Sequence, residues 1–177
     1  MANSIIVSTF KTPVGELILG SFEGKLCIAD WKYRKMRTAI DTRIQKGLQA
    51  QFIEGSSEII DQTKLQLNQY FNQERENFTI PLLLVGTEFQ KTVWKALQNI
   101  PFGETYSYLQ LSKQMGKEKA IRAVATANGA NAISVLIPCH RIIGSNGDLV
   151  GYAGGFPTKQ KLLTLENALH KEQLSLF

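Results

Sequence analysis

Cysteine and histidine are scarce in this chain, two of each among 177 residues. Cys27, Cys139, His140 and His170 make no zinc-ligand spacing, so no metal is expected, and no other cofactor either. Long apolar runs are also missing. None approaches the ~20 residues of a membrane span. The opening Met1-Ala2-Asn3-Ser4 has neither a basic n-region nor a cleavage site, which argues against a secretory signal. Both thiols are therefore expected to be reduced, in the cytoplasm. Repeats and low-complexity segments are absent, which removes solenoids and disordered scaffolds from consideration. Cys27 has apolar neighbours, Leu26 and Ile28, and reads as strand core without a function.

The composition is that of an ordinary globular protein large enough to bury a real core. The net charge of +5 is unevenly divided. Residues 1–87 hold ten Lys/Arg against nine Asp/Glu, and residues 88–177 hold ten against six. The second half is the basic one, and a basic half favours a polyanion such as nucleic acid.

Alternation at Ile5, Val7 and Thr9, the turn Thr12-Pro13-Val14-Gly15, the run Leu17-Ile18-Leu19, the turn Ser21–Gly24 and the run Leu26–Trp31 predict an antiparallel meander. Helices follow near 36–47 and over 57–72. Thr87-Glu88-Phe89-Gln90 and Ser107-Tyr108-Leu109-Gln110 are capping boxes that open helices, the first closed by Pro101-Phe102-Gly103. A tight turn at Gly116 leads into another helix over 119–128, the pattern of a helix-turn-helix. The apolar run 133–137 predicts a buried strand, and 157–170 a last helix.

Directly after that apolar run stands Pro138-Cys139-His140-Arg141. A thiol at a strand end, beside an imidazole and a guanidinium, would be exposed and surrounded by proton acceptors and positive charge. The helix over 119–128 is unusual for a DNA reader. Its outer face offers Ala123, Thr126, Ala127 and one Arg122, with almost no long polar side chains for base edges. Small residues suit close approach to a minor groove, and Arg122 can act as a wedge in the duplex.

Tyr106-Ser107-Tyr108, Ile121-Arg122-Ala123-Val124, Asn128-Gly129-Ala130-Asn131, Ile137–Gly144 and Gly151-Tyr152-Ala153-Gly154-Gly155 occur in order. Together they resemble the O6-alkylguanine-DNA alkyltransferases, also called methylated-DNA–protein-cysteine methyltransferases. The resemblance is specific over about 87–169 and looser over 1–86. It implies an α/β (α+β) fold: a ribonuclease H-like antiparallel sheet domain over 1–86 and a mostly helical, winged-helix-like DNA-binding domain over 87–177. It also implies a monomer that binds double-stranded DNA from the minor groove, flips out O6-alkylguanine, and O4-alkylthymine too, and moves the alkyl group irreversibly to Cys139. In this reading Arg122 fills the gap, and Tyr108 helps rotate the nucleotide. Asn131 braces the active-site turn, and Glu166 orients His140. The main-chain carbonyls of Cys139 and Ile142 accept from the guanine amino group, and the Ala153 N–H faces O6. Tyr152, Ser134 and Lys159 stand on the pocket side. Ser134, Ala132 and Ile121 depart from residues frequent in the family.

The chemistry asks for these residue types. An ordinary thiol, with a pKa near ~8.5, is only slightly ionised at neutral pH, so a base must remove its proton. His140, adjacent in sequence, would reach Cys139 through a water, with Glu166 holding the ring. Hydroxyl and N–H donors would stabilise the leaving guanine. The product is a thioether without an easy hydrolytic exit, so the protein is consumed. Three other readings stay open here: a cysteine hydrolase with a Cys-His-Glu triad, a lesion-binding module that does not react, and a helix-turn-helix regulator.

Overall fold

A computed structural model describes residues 3–169 of the protein. The predicted meander is present as β1 (Asn3–Thr12), β2 (Gly15–Phe22) and β3 (Lys25–Trp31). The Thr12 hydroxyl closes the first turn, accepting from Val14 N at 3.1 Å and donating to Gly15 O at 2.6 Å. The second turn is the two-residue Glu23-Gly24, with φ of 49° and 77°. Both angles suit a tight hairpin whose twist matches its strands.

α1 (Arg37–Leu48) then crosses to β4 (Ala50–Glu54), which lies parallel to β1. The sheet order is β3-β2-β1-β4, so the sheet is mixed, not purely antiparallel as expected. β4 is short and largely exposed, and its sequence carries little alternation to announce it. α2 (Glu58–Phe71) starts at Ser57, whose hydroxyl accepts from Ile60 N, and lays Ile60, Leu67 and Tyr70 on the sheet.

Both capping boxes form as read, opening α3 (Glu88–Leu97) and α4 (Tyr108–Gln114). α3 ends four residues before Pro101. Beyond a turn at Gly116 (φ 66°) and a single 3-10 turn at Glu118–Ala120 comes α5 (Ile121–Gly129). A two-residue parallel pair joins β5 (Tyr106–Ser107) to β6 (Ile142–Ile143). α6 runs over Phe156–Leu165, shorter than predicted, because Asn167 turns left-handed at φ 55°. Of the predicted span, His170 lies outside the described residues. Among the described residues no helix is long and apolar enough to cross a membrane.

The two halves share one core. Leu17, Leu19, Leu26 and Ala29 of the sheet pack in the same cluster as Val93, Trp94, Leu97, Leu111 and Val124 of the helices. The outer edge of β3 is covered by chain from elsewhere. Leu26 N donates to Pro81 O at 2.9 Å and Ala29 N to Ala132 O at 2.9 Å. Covering that edge satisfies backbone groups that would otherwise invite a second molecule.

The apolar run 133–137 is not a strand. It makes one bridge, Ile133 to Ala29, and then Val135 turns left-handed at φ 71°. Ile137 N returns to Ile133 O at 2.9 Å. A β-branched residue in that conformation is strained by about 1–3 kcal/mol, tolerated because Val135 is buried in the core. Cys139 therefore opens a 3-10 turn, Cys139–Arg141, and does not cap a strand.

Candidate active site

The thiol is buried, not exposed: Cys139 keeps 4 % of its surface. It borders a cavity of about 170 Å³ lined also by Tyr108, Asn128, Asn131, Tyr152 and Ala153. Two larger grooves, about 630 and 590 Å³, do not have Cys139 in their walls. The sulfur accepts from Asn131 Nδ2 at 3.2 Å. The same amide nitrogen donates to Ile137 O at 3.0 Å, and Asn131 Oδ1 accepts from Ile133 N at 3.0 Å. Asn131 thus ties the residues leading to Cys139 to the sulfur itself.

Burial pushes the Cys139 thiol up, and the Asn131 donor and the Lys159 and Arg34 charges offset only part of that. The resting sulfur is a neutral thiol, so a base is required. The next residue, His140, is a candidate for that base. Its Nε2 lies 2.7 Å from Glu166 Oε1, while its buried Nδ1 has no hydrogen-bond partner among the described residues. Arg141, read from sequence as charge beside the thiol, points to the carboxylate. It donates from Nε to Oε2 at 2.8 Å and from Nη2 to Oε1 at 2.9 Å, and Nη1 donates to Ile100 O at 2.6 Å. Tyr70 donates to Glu166 Oε1 at 2.7 Å.

Burial alone would raise the Glu166 carboxyl, but His140 and Arg141 outweigh it and hold it at about 2. Burial also holds the His140 imidazole below its ordinary value against the pull of Glu166. At neutral pH the carboxylate is ionised and the ring neutral, so Nε2 carries the proton and Nδ1 is the free base.

These shifts set an acid response. Glu166 has its ordinary value at 4.5 and its folded value at about 2. The stability it contributes is complete above pH 4.5 and is lost as pH falls through about 2. Keeping His140 neutral costs stability below its ordinary value of 6.5. Both act in the same direction. Urea midpoints measured from pH 7 to pH 3 should fall steadily, and more steeply in the wild type than in Glu166→Gln; parallel slopes would contradict the assignment.

Two side chains expected on the pocket side, Ser134 and Lys159, are not in the cavity wall. Ser134 is fully buried and donates to Asp30 Oδ1 at 3.3 Å. Lys159 is buried, and its ammonium donates to Ile142 O and, at 3.0 Å, to Val150 O. Burial lowers Lys159 to about 8. A buried ammonium must be hydrogen-bonded, and here backbone carbonyls accept from it. The Ile142 carbonyl is thus already engaged, and the Cys139 carbonyl accepts from Ile142 N; each retains one lone pair.

Tyr152, in the cavity wall, is fixed by its hydroxyl, which accepts from Trp31 Nε1 at 3.0 Å. Its loop packs so close to the indole that a Cβ on Gly154 would meet Trp31 Nε1 at 2.7 Å. Tyr108 Oη accepts from Asn128 Nδ2 at 3.3 Å, which leaves its own proton free for a ligand.

On α5, Arg122, Ala123 and Thr126 are exposed on one face. Ala127 is not part of that face. It is buried at 2 % exposure, and its carbonyl accepts from Trp94 Nε1 at 2.8 Å, because a residue one position from Thr126 on a helix points 100° away. Sequence reasoning missed Tyr70, Trp31, Asp30 and Arg34. All four lie in the first half, and no local pattern links them to Cys139.

Comparison with known proteins follows the same division. Residues 5–84 match the ribonuclease-like domain of 6-O-methylguanine DNA methyltransferase, and residues 88–168 match its DNA binding domain. The methylated-DNA–protein-cysteine methyltransferase of Methanosarcina acetivorans is 39 % identical over 160 residues, covering 90 % of this chain and 96 % of that one. That of Mycobacterium leprae is 40 % identical over 172 residues, 96 % of each chain. The crystal structure of Mycobacterium tuberculosis OGT in complex with DNA superposes with a TM-score of 0.78 at 37 % identity, covering 98 % of this chain and 99 % of that one.

Proposed function

The chain belongs to the 6-O-methylguanine DNA methyltransferase family, and we propose that it draws O6-alkylguanine out of duplex DNA and moves the alkyl group to Cys139 in a single turnover. It is a DNA-repair methyltransferase of the methylated-DNA–protein-cysteine type. The observation that carries the finer reading is the buried thiol followed in the chain by a buried imidazole whose Nε2 is tied to Glu166 and whose Nδ1 has no partner among the described residues.

The steps follow from that arrangement. The Cys139 proton passes to His140 Nδ1, directly or through one water, and Glu166 stabilises the cation formed. The thiolate attacks the alkyl carbon in line. The S–C bond forms as the C–O6 bond breaks, and its electron pair goes to the guanine. The Ala153 N–H faces O6, and the Tyr108 hydroxyl donates to the ring, so charge on the leaving base meets donors already in place. The guanine takes up a proton, which balances the one lost by the thiol. O4-alkylthymine offers the same alkoxy group. The thioether product has no hydrolytic exit.

DNA lies against α5 from the minor groove, where Ala123 and Thr126 permit close approach and Arg122 fills the space the base leaves. Binding is nearly independent of sequence and weakens steeply with salt. Extruding a base costs a few kcal/mol. Arg122→Ala should therefore slow transfer from duplex DNA by on the order of 10- to 100-fold while leaving transfer from a single strand nearly unchanged, measured by single-turnover kinetics. Equal loss on both substrates would remove the wedge.

Mass spectrometry tests the whole reading. After incubation with O6-methylguanine DNA, one methyl group should be found at Cys139, with one lesion repaired per protein. An unchanged mass would sink it, and so would multiple turnover on an activated ester, the mark of a hydrolase.

A further inference from the structure

The carbonyls at the end of the DNA-facing helix are held from the other half of the protein. α5 ends at Gly129, and its last turn carries no basic residue of its own. Gly129 O accepts from Arg34 Nη2 at 2.6 Å, Ala130 O from Arg43 Nη1 at 3.0 Å, and Asn131 O from Arg34 Nη1 at 3.0 Å. Three successive carbonyls thus receive two guanidinium groups from residues far away in sequence. Carbonyls at a helix C-terminus have no partners within the helix, and the dipole there favours a cation.

Arg34 is itself locked. Its Nη1 donates to both oxygens of Asp30 at 3.1 Å, and Arg37 Nη1 donates to Asp30 Oδ2 at 2.9 Å. Asp30 is fully buried and also accepts from the Ser134 hydroxyl. The unit therefore grips both ends of residues 129–134. Asn131 lies between, its backbone carbonyl bonded to Arg34 and its side chain to the Cys139 sulfur. Arg43 also lies over the Trp94 ring, 5.2 Å from its centroid, and Trp94 donates to Ala127 O in the same helix.

An apolar contact would join two halves at least as well as a buried charged cluster, which is costly to desolvate. What such a cluster adds is direction. We propose that Arg34 and Arg43 are positioning residues for alkyl transfer, capping α5 from the first half so that Asn131 stays bonded to the reactive thiol. The proposal rests on Cys139 being the acceptor. Around the thiol, Asp30 and Arg34 act on it from the first half, Lys159 from α6, Tyr108 from α4 and Tyr152 from its loop, while His140 follows it in its own turn and is bonded to Glu166 at the end of α6.

The test uses the full chain with Arg34→Lys, Arg43→Gln and Arg43→Lys. Three quantities are read: transfer rate from O6-methylguanine duplex at saturating DNA, the pH midpoint of Cys139 alkylation by iodoacetamide without DNA, and Tm. Cys27 stays silent in the second assay, since burial pushes its thiol up to about 12. Arg34→Lys keeps a charge for Asp30 but cannot fork to two carbonyls. It should slow transfer by on the order of 10- to 100-fold and raise the pH midpoint by about one unit, because a donor to the thiolate is displaced. Arg43→Gln should slow transfer several-fold with unchanged DNA affinity, and Arg43→Lys should restore it. If Arg34→Lys does not fold, the Arg43 pair decides alone. Variants with wild-type rate and pH midpoint, differing only in Tm, overturn the proposal. A wild type that gains no alkyl group at Cys139 overturns instead the reading beneath it.

Discussion

Cys139→Ser is expected to lose alkyl transfer by at least on the order of 10⁴-fold, the scale seen when a reacting nucleophile is removed. The substitution is nearly isosteric, and the serine oxygen still accepts from Asn131 Nδ2, which sits 3.2 Å from the sulfur in the wild type. Stability should change by no more than about 1 kcal/mol. What is lost is acidity. A thiol raised by burial is still within reach of an imidazole base, whereas an alcohol is far from it. DNA affinity should survive, since Arg122, Ala123 and Thr126 lie on the exposed face of α5 and are untouched. Gel-shift binding beside a mass measurement separates the two. A serine variant that still demethylates DNA would move the acceptor elsewhere.

Glu166→Gln should fail on two counts at once. Glu166 accepts from Tyr70, Arg141 and the His140 ring, with its carboxylate fully shielded from solvent. An amide keeps the shape but not the charge. It leaves the Arg141 guanidinium without its counter-ion in a buried place, a loss of about 3–5 kcal/mol. For a chain of this size that lowers Tm by on the order of 10 °C. The second loss is chemical. Without the carboxylate, protonated His140 is not stabilised and its tautomer is no longer imposed, so general-base assistance worth about 10²–10⁴ should go. Calorimetry and single-turnover rates read these separately. A stable variant with a wild-type rate would show that the carboxylate neither supports the fold nor serves the histidine.

Several elements needed only local pattern to be read. The hairpin turns, both capping boxes and the helix stripes rest on interactions within a few residues, so the sequence carries their signal directly. Two misreadings share one cause. The run 133–137 has the composition of a strand, yet its environment is the edge of β3 and the core around Val135. Tertiary packing there outweighs β-propensity and even holds a β-branched residue left-handed. The small size of Ala127 suits the exposed face of α5, but the helix phase is set by which side Trp94 and the core occupy.

By itself the sequence determined the family, the hairpins and capped helices, and a candidate reactive group. Pro138-Cys139-His140-Arg141, Asn131, Arg122 and Glu166 carry enough chemistry in fixed order to say so without coordinates. Only the tertiary structure decided how those groups are used. It turned Arg141 from the thiol to Glu166, buried the thiol in its neutral form and kept Ser134 and Lys159 out of the cavity wall. It also brought Tyr70, Asp30 and Arg34 from the first half to the site. The physical reason is that pKa values, tautomers and the partners of buried charges depend on desolvation and on contacts between residues distant in sequence, and neither exists until the chain is packed.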